Sequence, residues 1–184
     1  MRIIGGKLKG LRLQTPPNLP VRPTTDMAKE ALFNILYNQF DFDAIRVLDL
    51  FSGTGNISLE FASRMVPEVV SVDRDRNCVH FLKSTAQKHQ LEQIKTYQAD
   101  VFKFLALETE PFDLIFADPP YDLPQINQIA EKVFERNLVK PGGYLIVEHP
   151  SMKKLSHPFF IEQRVYGSSS FSFFTPQSVL ESDK

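Results

Sequence analysis

The sharpest chemical signal in the sequence is Asp118-Pro119-Pro120-Tyr121, which follows the apolar run 112–117. The two prolines fix the backbone and remove two N–H donors, so the carbonyl groups of this loop point in set directions. An aromatic exocyclic amine is a weak nucleophile because its lone pair is delocalised into the ring. If the Asp118 carboxylate and the Pro119 carbonyl each accept one N–H, the lone pair is directed at an incoming methyl group. Tyr121 would stack on a base flipped out from its neighbours, so these four residues are the candidate catalytic residues.

A glycine turn forms a second candidate site. The apolar run 47–50 leads into Phe51-Ser52-Gly53-Thr54-Gly55, which predicts a strand followed by a turn with exposed backbone N–H groups. Asp73 lies 24 residues after Asp49 and ends the next apolar run, where a carboxylate can accept both hydroxyls of a ribose. Together these features predict a nucleoside site.

The details of this site favour S-adenosylmethionine as the nucleoside. The dinucleotide-binding pattern G-x-G-x-x-G/A has glycine or alanine at its last position, and here that position is Ser58. Asp49 would repel a pyrophosphate but suits the ammonium of the methionine moiety. Asp100 is placed to accept from the adenine amine. A nicotinamide-dependent reductase stays open, since Asp73 would fit it equally well. The candidate cofactor-binding residues are Asp49, Phe51, Ser52, Gly53, Gly55, Asp73, Arg74, Asp100 and Val101.

The elements that must position these residues alternate along the chain. Short runs rich in Val, Ile, Leu and Phe predict strands near 46–51, 69–73, 94–98, 112–117 and 143–148. Segments of helical period predict helices near 55–65, 75–89 and 123–137, with a weaker indication at 101–107. The run 141–143 predicts a turn that ends a helix and begins the last of these strands. The pattern is typical of a Rossmann-like parallel sheet, whose first and fourth strands are neighbours, so the two candidate sites would face each other.

Further elements are predicted on both sides of this core. Thr24 or Thr25 can cap a helix that runs to about Gln39. Its buried stripe is predicted to be Ala28, Ala31, Leu32, Ile35 and Leu36, and the second helix is given a stripe of Ile57, Phe61 and Met65. Near the C-terminus a hairpin turns at 167–169. Its second arm predicts Phe171 and Phe173 in the core, with Ser170 and Ser172 on the other face.

A small hairpin is predicted at the start of the chain. Ile3 and Ile4 would pair with Leu11 and Leu13 across a turn that contains Gly5, Gly6 and Gly10, with Lys7 and Lys9 at the tip.

Charge is divided unevenly along the chain. The net charge is -1, yet residues 1–25 carry five basic residues and no acid. Such a segment is expected to meet phosphates, although a solvated, flexible terminus stays open. The candidate RNA-binding residues are Arg2, Lys7, Lys9, Arg12 and Arg22.

Composition excludes several other classes of protein. The 184 residues and 42% hydrophobic content predict one domain with a full core. Because no apolar run approaches the roughly 20 residues that cross a bilayer, and no signal segment is recognisable, we expect a soluble cytoplasmic protein. Cys78 is the only cysteine, and no Cys/His cluster has metal-ligand spacing, so neither a disulfide nor a metal is expected.

The chain resembles the RsmD-like family of bacterial 16S ribosomal RNA (guanine-N2)-methyltransferases over nearly its whole length. The likeness is carried by four blocks, namely 2–7 with Gly10, 22–24 leading to 30–34, the loop 49–55, and 118–121. It implies a class I methyltransferase fold, with a mostly parallel seven-stranded sheet, helices on both faces, and an N-terminal hairpin and helix. Two residues depart from the family pattern: Lys29 stands where arginine is usual, and Asp73 where glutamate often occurs.

The resemblance also implies a function and a division of the chain. Residues 1–40 would form an RNA-contacting extension and residues 41–184 the S-adenosylmethionine-dependent methyltransferase domain. The expected reaction is methyl transfer to the N2 amine of a guanine in small-subunit ribosomal RNA, with that RNA or the assembling subunit as partner of a monomeric enzyme. An amino group of another RNA, or of DNA adenine, remains open as the acceptor, because the Asp118 loop recognises an amine and says little about the ring behind it.

Overall fold

The computed structural model describes residues 1–21 and 24–176. The candidate RNA-binding residue Arg22 therefore lies outside the described residues. The α-helices are α1 (Asp26–Gln39), α2 (Asn56–Ser63), α3 (Arg76–Lys88), α4 (Val101–Leu107) and α5 (Ile126–Glu135). The strands are β1 (Arg46–Leu50), β2 (Glu68–Asp73), β3 (Ile94–Gln98), β4 (Phe112–Ala117), β5 (Val139–Pro150), β6 (Phe160–Tyr166) and β7 (Ser169–Phe174).

The strands form a seven-stranded sheet in the order β3-β2-β1-β4-β5-β7-β6. The chain divides into two compact units, Met1–Asp100 and Val101–Lys184. In the first unit β1, β2 and β3 are parallel. In the second unit β4 and β5 are parallel, while β7 pairs antiparallel with both β5 and β6. The predicted mostly parallel α/β sheet is confirmed.

Helix starts follow the capping residues in the sequence. The Thr25 hydroxyl accepts a hydrogen bond from the Ala28 N–H at 3.2 Å, which fixes the start of α1 at one of the two predicted caps. The Asp75 carboxylate caps α3 in the same way, by accepting a hydrogen bond from the Cys78 N–H at 2.9 Å. Among residues 1–21 and 24–176, no helix is long and apolar enough to cross a bilayer.

The buried stripe of α1 differs from the predicted one. Ala31 and Ile35 are only half-buried, whereas Lys29 and Phe33 are fully buried. The prediction was wrong because it treated lysine as a surface residue, and Lys29 finds partners inside the first unit. Met65, assigned to the stripe of α2, is 53% exposed since α2 ends at Ser63.

The N-terminal hairpin is present, but its register differs from the prediction. The Ile3 N–H donates to the Leu11 carbonyl at 2.9 Å, and the Gly10 N–H donates back to Ile3 at 2.8 Å. Leu13 donates to the Met1 carbonyl, and not to Ile4. The pairing predicted for Ile4 is wrong because its N–H donates instead to a carboxylate of α2.

One prediction in the second unit needs correction, whereas the predicted burial of Phe171 and Phe173 is confirmed. Residues 141–143 do not end a helix, since α5 stops at Glu135 and these residues lie within β5, where its register with β4 shifts. The serine face of β7 is buried like the aromatic face. The two serines are tolerated there because each has a polar partner: Ser172 Oγ lies 2.6 Å from His149 Nε2, and Ser170 Oγ accepts from Gln163 at 2.9 Å.

Candidate active site

The glycine turn joins β1 to α2 in a compact form. The Ser52 N–H donates to the Val72 carbonyl of β2 at 3.0 Å, and the Gly55 N–H donates to Ser52 at 2.9 Å. Gly55 has φ +91°, and a Cβ at this position would overlap the Leu82 side chain of α3. Only glycine allows α3 to pack this close to the start of α2.

Asp73 ties the end of β2 to this turn. One carboxylate oxygen accepts the Gly53 N–H at 2.8 Å, and the other accepts the Asp75 N–H at 2.8 Å. The side chain is half-buried, and the adjoining Arg74 is exposed. A carboxylate oxygen can accept more than one hydrogen bond, so Asp73 keeps acceptor capacity for the hydroxyls of a ligand.

Asp49 lies deeper, at the carboxyl end of β1. It is 1% exposed, and its Oδ2 accepts a hydrogen bond from the Ser58 hydroxyl at 2.6 Å. Ser58 in turn contacts the Ser71 hydroxyl at 2.6 Å. Burial raises the pKa of the Asp49 carboxyl to about 7, and the Ser58 hydrogen bond opposes part of this shift. A cation bound next to Asp49 would favour its ionised form.

The remaining residues of the predicted cofactor site lie at the strand ends. Phe51 and Ser52 are half-buried in the glycine turn, and Asp100 is exposed just after β3. Val101 is buried and is the first residue of α4. The hydrogen bonds bring the glycine turn and Asp73 together at the carboxyl ends of β1 and β2.

The Asp118-Pro119-Pro120-Tyr121 loop directly follows β4 in the second unit, as the sequence predicts. Asp118 is half-buried, Pro119 is buried and Pro120 is exposed. The Tyr121 hydroxyl is shielded from solvent. The Leu123 N–H donates to the Pro120 carbonyl at 3.0 Å, which closes a turn after the two prolines. The loop is therefore rigid on both sides of Asp118.

Four of the five basic residues predicted to bind RNA are among the described residues, and they lie on the surface of the first unit. Arg2, Lys7, Lys9 and Arg12 are all exposed. Arg2 forms an ion pair with Asp26 at 3.0 Å, with both side chains about half exposed. Within residues 1–21 and 24–176, Lys7, Lys9 and Arg12 form no ion pair.

A buried ionic cluster joins α1 to α2, and sequence reasoning did not foresee it. Lys29 and Glu60 are both 0% exposed, and Lys29 Nζ lies 3.0 Å from Glu60 Oε1. Lys29 also donates to the Arg2 carbonyl at 2.7 Å and to Asn56 Oδ1 at 2.8 Å, so each of its three protons has an acceptor. Arg64 binds the second oxygen of Glu60 at 2.9 Å. Burial lowers the pKa of Lys29, and the charge of Glu60 works against that shift.

A single signal in the sequence could have pointed to this cluster. Glu60 is the single charged residue of α2, and a carboxylate buried there needs a buried cation.

Comparison with known proteins agrees with this architecture. The family model described as Conserved hypothetical protein 95 matches residues 1–175. The chain is 33% identical over 153 residues to a putative rRNA methyltransferase of Bacillus subtilis, covering 81% of this chain and 82% of that protein. It is 32% identical over 162 residues to ribosomal RNA small subunit methyltransferase D of Haemophilus influenzae, covering 86% of this chain and 83% of that one.

Solved structures share the whole fold. A hypothetical protein of Thermus thermophilus superposes with a TM-score of 0.84 at 30% identity, covering 96% of this chain and 99% of that one. An RNA methyltransferase of Salinibacter ruber, solved with S-adenosyl-L-homocysteine, has a TM-score of 0.67 at 16% identity, covering 86% and 96%. At that identity the second likeness concerns the fold alone. The fold is that of the class I methyltransferases. Within this class, the chain belongs to the Conserved hypothetical protein 95 family, that of the RsmD-like methyltransferases.

Proposed function

We propose that the protein transfers a methyl group from S-adenosylmethionine to the N2 amine of a guanine in small-subunit ribosomal RNA. The observation that carries the proposal is the rigid Asp118-Pro119-Pro120-Tyr121 loop at the carboxyl end of β4. Its chemistry suits an aromatic amine, and the related protein of Haemophilus influenzae is named for methylation of small-subunit ribosomal RNA. The partner would be this RNA or the assembling subunit, acted on in the cytoplasm by a monomer.

The first unit would bind S-adenosylmethionine, which supplies a methyl group on a sulfonium when bound. Asp73 would accept from the ribose hydroxyls, and Asp100 from the adenine amine with the help of the Val101 N–H. Asp49 would face the ammonium of the methionine moiety. Its fit is supported by its burial, because a buried carboxylate with a pKa of about 7 gains most from a neighbouring cation. A pyrophosphate would meet a repulsive carboxylate there.

The second unit would prepare the acceptor. The Asp118 carboxylate and the Pro119 carbonyl accept the two N–H bonds of the amine, which directs the nitrogen lone pair away from the loop and toward the methyl group. Tyr121 stacks on the flipped base. Bound S-adenosylmethionine would supply its sulfonium methyl group to this nitrogen, and the nitrogen would lose one proton to water. Transfer requires the methyl donor and the amine to come within bonding reach of each other.

The choice of acceptor is tested by substrate competition. Labelled S-adenosylmethionine is offered with ribosomal RNA lacking modifications, with small ribosomal subunits from cells that lack the protein, or with DNA. We expect label in the RNA or the subunit, at guanine N2 by mass mapping. Label in DNA alone would contradict the proposal. Calorimetric binding of NADH without binding of S-adenosylhomocysteine would favour a reductase instead.

The role of the loop is tested by exchanging single carboxylates. Asp118→Asn keeps the shape of the side chain but replaces a charged acceptor by a neutral one, whose hydrogen bond to the amine is weaker, so we expect the single-turnover methylation rate to fall by roughly tenfold. Asp122→Asn is the matched control, because Asp122 is exposed in the same segment and has no assigned role. Equal rates for the two variants would refute the role given to Asp118.

A further inference from the structure

Two side chains of α2 bind the main chain of the N-terminal hairpin. Glu60 accepts the Ile4 N–H at 2.9 Å through Oε1 and the Gly5 N–H at 3.0 Å through Oε2. Ser63 lies one helical turn further on, and its hydroxyl accepts the Leu8 N–H at 3.0 Å. We call Glu60 and Ser63 the α2 clasp.

The clasp also uses the backbone of α2. The Lys7 N–H donates to the Ser63 carbonyl at 2.8 Å, and the Ser63 hydroxyl donates to the Gly5 carbonyl at 2.6 Å. Within residues 4–8, every N–H except that of Gly6 is therefore bound by two residues that are themselves 0% exposed. Such pairing of the main chain with one helix fixes the loop in one position.

Gly6 permits this close approach. It has φ +76°, and a Cβ at this position would overlap the carbonyl oxygen of Ser63. Gly10 has a similar φ of +88°, yet a Cβ there would meet nothing within 4 Å. Gly6 and Gly10 thus share a positive φ and differ in whether an added Cβ would contact α2.

The residues between these contacts carry the positive charge of the hairpin. Lys7 and Lys9 are exposed. The clasp binds the Lys7 N–H directly, whereas the Lys9 N–H donates to the Gly6 carbonyl at 3.2 Å, within the segment that the clasp holds. A phosphate contact from a fixed backbone loses less conformational freedom than one from a loose terminus, so it contributes more to affinity. The buried charge of Glu60 also serves this arrangement, because Lys29 and Arg64 neutralise it and leave its oxygens as acceptors for the hairpin.

We propose that Glu60 and Ser63 are positioning residues for RNA binding, which hold residues 4–8 so that Lys7 and Lys9 meet phosphates of the RNA in one fixed geometry. The inference rests on the proposed function, since it takes RNA as the substrate. It assigns to α2 a task separate from the chemistry: the helix begins at the glycine turn and binds the hairpin through its last turn.

The test compares Gly6→Ala with Gly10→Ala. Both variants place a side chain at positive φ, but only the first pushes the hairpin off α2. For Gly6→Ala we expect RNA affinity to fall by roughly tenfold and the slope of log K against log salt to shrink by about 1 to 2, as for the loss of two phosphate contacts. Gly10→Ala should stay within about twofold of the wild type in both measurements.

Further readouts separate positioning from general damage. Calorimetric affinity for S-adenosylhomocysteine should be unchanged in Gly6→Ala, and at saturating RNA the rate constant kcat should be retained while KM rises. Trypsin should cut after Lys7 or Lys9 faster in this variant than in the wild type. If Gly6→Ala does not fold, Ser63→Ala takes its place, because it removes only the hydroxyl that contacts Gly5 and Leu8.

The outcomes are distinguishable. Wild-type protein that neither binds nor methylates ribosomal RNA refutes the proposed function. The positioning role alone is overturned by a different result. In that case the wild-type protein binds and methylates ribosomal RNA, and a clasp variant is cut faster by trypsin yet keeps the wild-type RNA affinity and salt slope.

Discussion

At the scale of single residues, Asp49 is the clearest case of burial changing chemistry. The side chain is 1% exposed and receives one short hydrogen bond from Ser58. The sequence predicted an acid at this strand end but not its burial, since its hydroxyl partner Ser58 comes from α2 and in turn contacts Ser71 of β2. A carboxylate so enclosed is costly to ionise unless a cation lies beside it.

The raised pKa of Asp49 predicts a pH dependence of stability in the ligand-free protein. The folded carboxyl has a pKa of about 7 against an ordinary value of 3.8, so between these values the folded state holds a proton that the unfolded state has released. The free energy of unfolding should therefore fall as pH rises from about 4 to about 7, by at most about 4 kcal/mol, and then level off.

Denaturant titrations across this range measure the effect. Asp49→Asn is the control, because it removes the titration and keeps the shape of the side chain. As pH rises, the free energy of unfolding of the wild type should fall relative to that of Asp49→Asn. Parallel curves would show that folding does not raise the pKa of Asp49.

At the scale of elements, α1 and α2 are joined by a charged pair in the interior. Lys29 and Glu60 have no access to water, and the other polar contacts of Lys29 are to Arg2 and Asn56. Such a pair adds little stability relative to apolar residues of the same volume, but breaking it leaves a buried charge without compensation.

We expect Lys29→Met to lower the free energy of unfolding by up to about 3–5 kcal/mol, because Glu60 would lose one of its two counter-charges and keep only Arg64. Lys132→Met is the control: Lys132 pairs with Glu135 at 3.5 Å on the surface of α5, and its loss should cost at most about 1 kcal/mol. Urea denaturation of the two variants decides the matter. A similar small loss in both would mean that Arg64 alone compensates the charge of Glu60.

The elements show what periodicity can predict and what it cannot. The strands β3 and β4 and the helix α4 have the predicted bounds, because each is bordered by residues that end an element. The register shift in β5 was missed, since an irregularity depends on the neighbouring strand as well as on the Pro-Gly-Gly run. The clasp was missed for the same reason: its contacts join residues about 55 positions apart.

At the scale of the whole molecule, charge is concentrated where the hairpin lies. Lys7, Lys9 and Arg12 are exposed on the surface of the first unit, in a chain whose net charge is only -1. The hairpin charges, and not the net charge of the protein, would therefore attract the phosphates of RNA.

Neutralising this charge should change the salt dependence of RNA binding. With Lys7, Lys9 and Arg12 replaced by glutamine, we expect the slope of log K against log salt to fall by about 2 to 3, since each lost phosphate contact removes about 0.7–0.9. Fluorescence anisotropy with labelled ribosomal RNA at several salt concentrations measures the slope. A control variant neutralises three exposed lysines elsewhere, Lys83, Lys88 and Lys154. If both variants alter the slope equally, the hairpin has no special part in binding.

The Lys29–Glu60 pair also constrains how this sequence could evolve. A mutation at either position leaves the other charge buried without this partner. The two positions must therefore change together, or the lineage must include an ancestor that folds poorly. Because Glu60 also binds the Ile4 and Gly5 backbone, any lineage that discarded the pair would need a new way to secure its first residues. Arginine at position 29 preserves the charge, and it is the exchange we expect to be inherited most readily.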